Sequence, residues 1–264
     1  MLGAYLEYWR INLLTVLEYR TNAFLWFAFN LVYHGSALGA LVVTMGRFPS
    51  MAGWNIREMF FLYALWMMAS ELHFALFIGA VNVPDIIREG KFDRFMVRPR
   101  DILFQVITVP QAIMPDGFIM ACITFLFAAH FAHVALTLPT LGLVALVVTG
   151  GALIDFGISI LVATVAFWFV RVDSLRWAVI GLEQDFSRYP ITIYSRGVQM
   201  ALTFVLPFAF MNYFPAAALL HKSPTAFGFN PAIGFATPLV GLVWFAVAYS
   251  LWNVGLRHYQ GTGS

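Results

Sequence analysis

The 264-residue chain is 61% hydrophobic and 11% charged, with a mean hydropathy of +0.80, against about 45–50% and about 25% for an ordinary soluble domain. It reads as an all-α integral membrane protein, one transmembrane domain over residues 1–264 without a separate soluble part. The formal charge of +2 sits in short loops and not in a basic patch interleaved with aromatics, which excludes nucleic acid as a partner; the lone Cys122 lies in an apolar run, which excludes disulfide scaffolds and cysteine metal sites.

The first stretch, GAYLEYWRINL, has an early acidic residue and no basic region ahead of an apolar core, so no cleavable signal is expected. Through residues 1–22 the apolar side chains recur at helical spacing, with Glu7, Arg10 and Glu18 mostly on the other side, which predicts a helix lying in the membrane interface. A first span is expected from Ala23 to about Met45, and a second from about Met59 to Val81 with Glu71 and His73 in its middle third. An acid at that depth costs several kcal/mol if it faces lipid, so Glu71 is expected to face protein or water.

Residues 82–101, NVPDIIREGKFDRFMVRPRD, hold five of the 15 basic residues between nearly uncharged segments. Short basic loops stay on the side of synthesis, which predicts a cytoplasmic loop and makes it the contact point for a cytoplasmic partner. The run from Ile102 to Ala129, interrupted by Pro110, Pro115 and Asp116, reads as one kinked crossing. His130 and His133 have no third ligand in view and read as interfacial; no metal site is expected. A fourth span falls within Thr140–Val170, with Gly150, Gly151 and Asp155 inside it.

The charge-rich segment RVDSLRWAVIGLEQDFSRYP reads as a second cytoplasmic interfacial element, followed by a fifth span from about Ile191 that Pro207 ends or bends. Residues 208–232, apolar but broken by Asn212, Pro215 and Pro224, read as a re-entrant segment on the outer side. The last span is expected from about Phe235 to Trp252. Six crossings place both termini on one side, with 12 basic residues there and 3 opposite, which supports an N-in, C-in arrangement.

The chain carries no energy source of its own. Its Gly90-Lys91 pair has Asp85 where a phosphate-binding loop needs glycine and Phe92 where it needs Ser or Thr. IREGKFDRFMVRP (87–99), RYPITIYSRGVQMALTFVLPFAFMNYFPAAALL (188–220) and the tail WNVGLRHYQGTGS resemble the permease subunits of type-2 ATP-binding-cassette exporters, in particular the small bacterial permeases that include antibiotic and viologen exporter-like proteins.

The resemblance implies a non-enzymatic half-transporter of a bacterial cytoplasmic (inner) membrane, exporting hydrophobic or amphiphilic, drug-like compounds, cationic ones included. ATP and magnesium would be bound by separate ATPase subunits, and the chain would pair with a second, identical or different, permease. On this reading Asp85, Arg88, Glu89, Lys91, Asp93 and Arg98 form the coupling element that docks on the ATPase. Glu71, His73, Asp116 and Asp155 are candidate pathway residues, with the fastening of helices to one another as the alternative role for the acids, and Asn212, Tyr213 and Pro215 are the expected re-entrant gate. Two other classes stay open. One is a proton-driven carrier using the same acids as relays; the other is a membrane enzyme with Glu71, His73 and His34 as its acid-base group.

Overall fold

The computed structural model describes Gly3, Glu7, Arg10, Ile11, Leu14, Glu18 and residues 20–108, 116–169, 171–223 and 225–259. The interfacial helix expected over residues 1–22 lies mostly outside the described residues, as do Pro110, Pro115, Pro224 and the end of the YQGTGS tail. The described chain is helical, and its one β feature is an isolated bridge between Met51 and Trp54.

Helix α1 (Arg20–Arg47) touches the rest through a single seam of His34, Ala37, Leu41 and Met45. Its other faces, with Phe24, Trp26, Phe29 and Val32, are exposed, as suits a helix solvated by lipid. Helix α2 (Ile56–Val81) is the opposite case and is buried on nearly all sides. It starts on a capping box: the Asn55 side chain accepts from the backbone of Arg57 and Glu58, and Glu58 accepts from the Asn55 N–H at 2.8 Å. Phe77 leaves helical geometry (φ −131°, ψ 17°) and kinks α2 one turn before its end.

The basic loop folds onto this end. Helix α3 (Val83–Arg88) has Pro84 in its first turn. It stops at Gly90 (φ +67°), where Gly90 N–H donates to Ile87 O and Lys91 N–H to Ile86 O. That is a Schellman cap, whose left-handed position favours glycine. Helix α4 (Asp93–Met96) and helix α5 (Ile102–Ile107) follow, the latter capped by the Asp101 side chain on Phe104 N–H. Helix α6 (Asp116–Phe131) packs on α2. The expected kinked crossing is therefore two helices, α5 and α6, joined by residues outside those described.

Helix α7 (Leu138–Val165), opened by Thr137 and Pro139, runs unbroken for 28 residues, about 42 Å. Gly150 and Gly151 do not break it. A methyl on Gly150 would come within 2.6 Å of Pro238 N, and one on Gly241 within 2.4 Å of Gly150 O. The glycines thus let α7 meet helix α11 (Thr237–His258) backbone to backbone.

The segment between α7 and α11 departs most from expectation. Helix α8 (Asp173–Ser187) packs against α2, with Arg176 donating to Val81 O and Glu183 accepting from the Trp66 indole. A continuous span from Ile191 does not form. Pro190 precedes a 3-10 turn (Ile191–Ile193), Ser195 is extended, and helix α9 (Arg196–Met200) runs through a π turn to Val205 before Pro207 breaks it. Helix α10 (Tyr213–Leu219) follows, and the two halves meet at 76°. Arg196 stacks on Phe227 at 4.1 Å.

Among the described residues, four helices are long and apolar enough to cross a membrane: α1, α2 continued into α3, α7, and α11 with its 3-10 lead-in. The bent pair is a fifth if counted as one span. The chain is thus a polytopic helical membrane protein. Gly241→Ala is expected to lower the thermal midpoint in detergent by the equivalent of about 1–3 kcal/mol, because it overpacks a backbone contact. Gly142→Ala, with nothing within 4 Å of its Cβ position, is expected to leave the midpoint unchanged or raised.

Candidate functional site

Glu71 and His73 lie two residues apart on α2, about 200° around the helix, so their side chains leave on opposite sides. Each acquires its own partners. On the first side, His34 Nε2 of α1 lies 3.2 Å from Glu71 Oε1, and His34 Nδ1 lies 2.8 Å from the Tyr63 hydroxyl. With the ring proton on Nε2, His34 donates to Glu71 and accepts from Tyr63. Asn30, one turn before His34, donates to Asp116 Oδ2 at 3.1 Å. Asp116 and Gly117 open α6 beside Glu71, where a Cβ on Gly117 would stand 1.9 Å from Glu71 Oε2. Glycine is what lets the carboxyl lie against the α6 backbone.

On the second side, His73 (1% exposed) has Nδ1 3.1 Å from Asp155 Oδ2 and Nε2 3.2 Å from the Ser159 hydroxyl. Asp155 (3% exposed) lines one cavity with Glu183 (4% exposed), whose carboxyl takes the Trp66 indole N–H at 2.7 Å. The grouping of Glu71, His73 and His34 as one acid-base set is therefore corrected: helical geometry splits it, and the membrane-enzyme reading loses its constellation. Among the described residues no three His, Cys, Asp or Glu side chains are placed to hold a metal. His133, from the expected interfacial pair, lies 2.8 Å from Arg57 Nη1.

At the α3 end the charges close a ring. Arg88 pairs with Asp85 at 2.6 Å and Asp173 at 2.7 Å, and Arg176 pairs with the same two acids at 2.6 and 3.0 Å. Asp85 and Arg88 are thus engaged within the chain, binding α3 to the start of α8. Of the other coupling residues, Lys91 and Glu89 pair with each other at 2.6 Å and stay about half exposed, Asp93 accepts from the Tyr259 hydroxyl, and Arg98 lines an open groove with Arg94, Arg100 and Phe104. Beneath them Phe92 packs on Phe167, Trp252 and Tyr259, which seats the segment on the ends of α7 and α11.

At the other end, the gate residues are buried. Asn212 donates to Ser187 O and accepts from Tyr213 N–H, and the Tyr213 hydroxyl accepts from Ala226 N–H. Pro215 and Phe214 abut Gly234 so closely that a Cβ there would stand 2.3 Å from Phe214 O. Lys222 ties the loops at this end together, pairing with Glu58 at 2.7 Å and donating to Gly53 O at 2.6 Å.

The residues not anticipated are Glu183, Trp66, Ser159, Asn30, Asp173 and Arg176. The readable signal for α8 was a polar stripe: Arg176, Glu183 and Ser187 fall on one face by the 3–4–7 rule and turn inward, while Leu175, Trp177 (64% exposed) and Leu182 turn outward.

A membrane-embedded bundle with charged side chains paired inside it and a fixed polar element at one end has the organisation of a transport protein. Compared with family models, residues 31–263 match the ABC-2 family transporter protein model, and the chain belongs to that family as the membrane component of an ABC transporter. No curated protein and no solved structure matches the chain. Trp66→Phe leaves a buried Glu183 oxygen without its donor and is expected to cost about 1–3 kcal/mol. Lys91→Ala, in a half-exposed pair, is expected to cost at most about 1 kcal/mol in the same unfolding assay.

Proposed function

We propose that the chain is the permease half of an ABC exporter of hydrophobic or amphiphilic, including cationic, compounds, driven by separate ATPase subunits that hold ATP and magnesium. It pairs with a second permease, identical or different, in a bacterial cytoplasmic membrane. Six crossings with both termini inside are assigned to α1, α2, the α5–α6 pair, α7, the bent segment that begins at Arg196, and α11. The second half of that bent segment, α10, and the turns after it form the outer re-entrant segment.

The observation that carries the coupling role is the double attachment of α3. An apolar seat fixes the segment to α7 and α11, the ionic ring fixes it to α8, and the tip at Glu89 and Lys91 stays exposed. A push on the tip is thereby delivered to several crossings at once. Glu71 and Asp116 are assigned to the substrate side, because they face α1, the helix held by a single seam. His73 and Asp155 are closed inside the bundle.

Replacing Glu89 and Lys91 by alanine is expected to weaken ATPase association at least tenfold without moving the thermal midpoint. Arg176→Ala is expected to preserve association but remove the stimulation of ATP hydrolysis by substrate. Co-purification and ATPase assays in lipid nanodiscs read both. Transport by the chain alone on a proton gradient, with no ATPase present, would overturn the assignment. Glu71→Gln is expected to lower transport of a cationic dye more than that of a neutral one of similar size; equal losses would remove Glu71 from the substrate side.

A further inference from the structure

The His73, Asp155 and Glu183 group contains more polar capacity than its protein contacts use. Asp155 and Glu183 are both buried and line one cavity with His73; two bare carboxylates sharing an apolar site repel, which favours a proton held between them. Arg176, which lines the same cavity, is already paired with Asp85 and Asp173. His73 Nδ1 and Asp155 Oδ2 lie in ion-pair range but off the direction of a hydrogen bond, and both atoms are buried without another partner. They line a cavity of about 20 Å³ that extends between α2, α7 and α8 to Val81 and Arg176 at the α3 end. That volume suits one water molecule.

We propose that His73, Asp155 and Glu183 form an internal proton-binding site, reached through this cavity from the α3 end, whose single shared proton clips α8 to α2 and α7. The groups facing it are His73 from α2, Asp155 from α7, and Glu183 and Arg176 from α8. Tyr33 of α1 and Arg188 beyond α8 also lie within electrostatic reach of Glu183 or its neighbours. With the proton in place, Glu183 satisfies Asp155 and Trp66 together. Without it the carboxylates repel and α8 is released from Asp155. Because α8 also carries Arg176, proton loss loosens the same helix that the ionic ring ties to α3. The site is independent of which compound is carried and of whether an ATPase drives the cycle.

The test uses the full chain in lipid nanodiscs, with infrared absorption of protonated carboxyl groups and thermal unfolding as a function of pH. Wild type is expected to show a deuterium-sensitive carboxyl band, and its midpoint is expected to fall as pH rises and the shared proton leaves. Glu183→Gln, whose amide donates permanently to Asp155 while its oxygen accepts from Trp66, is expected to lose one carboxyl equivalent of that band and to hold a flat midpoint over the same range. Asp155→Asn offers a second isostere should the first fail to fold, and the wild-type titration stands without either variant. A wild-type midpoint flat with pH, or a band of equal intensity in wild type and a folded variant, overturns the proposal.

Discussion

A charged group inside an apolar bundle must find its partner within the bundle, and α2 is the helix on which that requirement falls. It has no lipid-facing stripe to spare, so Glu71 and His73 are satisfied by different neighbours on opposite sides. The arrangement of α1, α6, α7 and α8 around it follows from those pairings as much as from apolar contact. Asn30 and His34 bring α1 to one face, Asp155 and Ser159 bring α7 to the other, and Glu183 draws in α8. Interhelical hydrogen bonds in membranes are individually modest, about 0.6 kcal/mol on average. Their weight here is in choosing which helices are neighbours.

The two ends of the bundle use different chemistry for different purposes. At the α3 end, exposed ion pairs surround a buried aromatic seat, so the segment is held by Phe92 and its neighbours while its charges remain in reach of water. At the other end the contacts are mostly backbone and side-chain hydrogen bonds under a closed lid of loops, with Lys222 bridging Glu58 and Gly53. A motion entering at the first end meets a deformable ionic joint, and one leaving at the second must break a compact knot around Asn212 and Tyr213.

Much of this was legible from residue patterns. The apolar runs locate α1, α2, α7 and α11 to within about six residues at each end. The acids flagged as costly at membrane depth do lie at interhelical contacts. The inward turn of the polar face of α8 was not legible: Arg176 and Glu183 find their partners on α2 and α3 while Trp177 faces out, which inverts the rule used for water-facing helices. The breaks around Pro190, Ser195 and Pro207 were visible one by one, but their sum, a bent pair in place of a span, depends on tertiary contacts such as Asn212 with Ser187. Partners separated by 86 residues, such as His73 and Ser159, leave no local trace.

Gly150 and Gly241 put the backbones of α7 and α11 in direct touch, with no side chain between them to change rotamer and take up displacement. Those two helices therefore travel as one stiff plank. Any rearrangement of the bundle has to be expressed as sliding or rotation elsewhere, and the seam along α1 offers the least resistance to it.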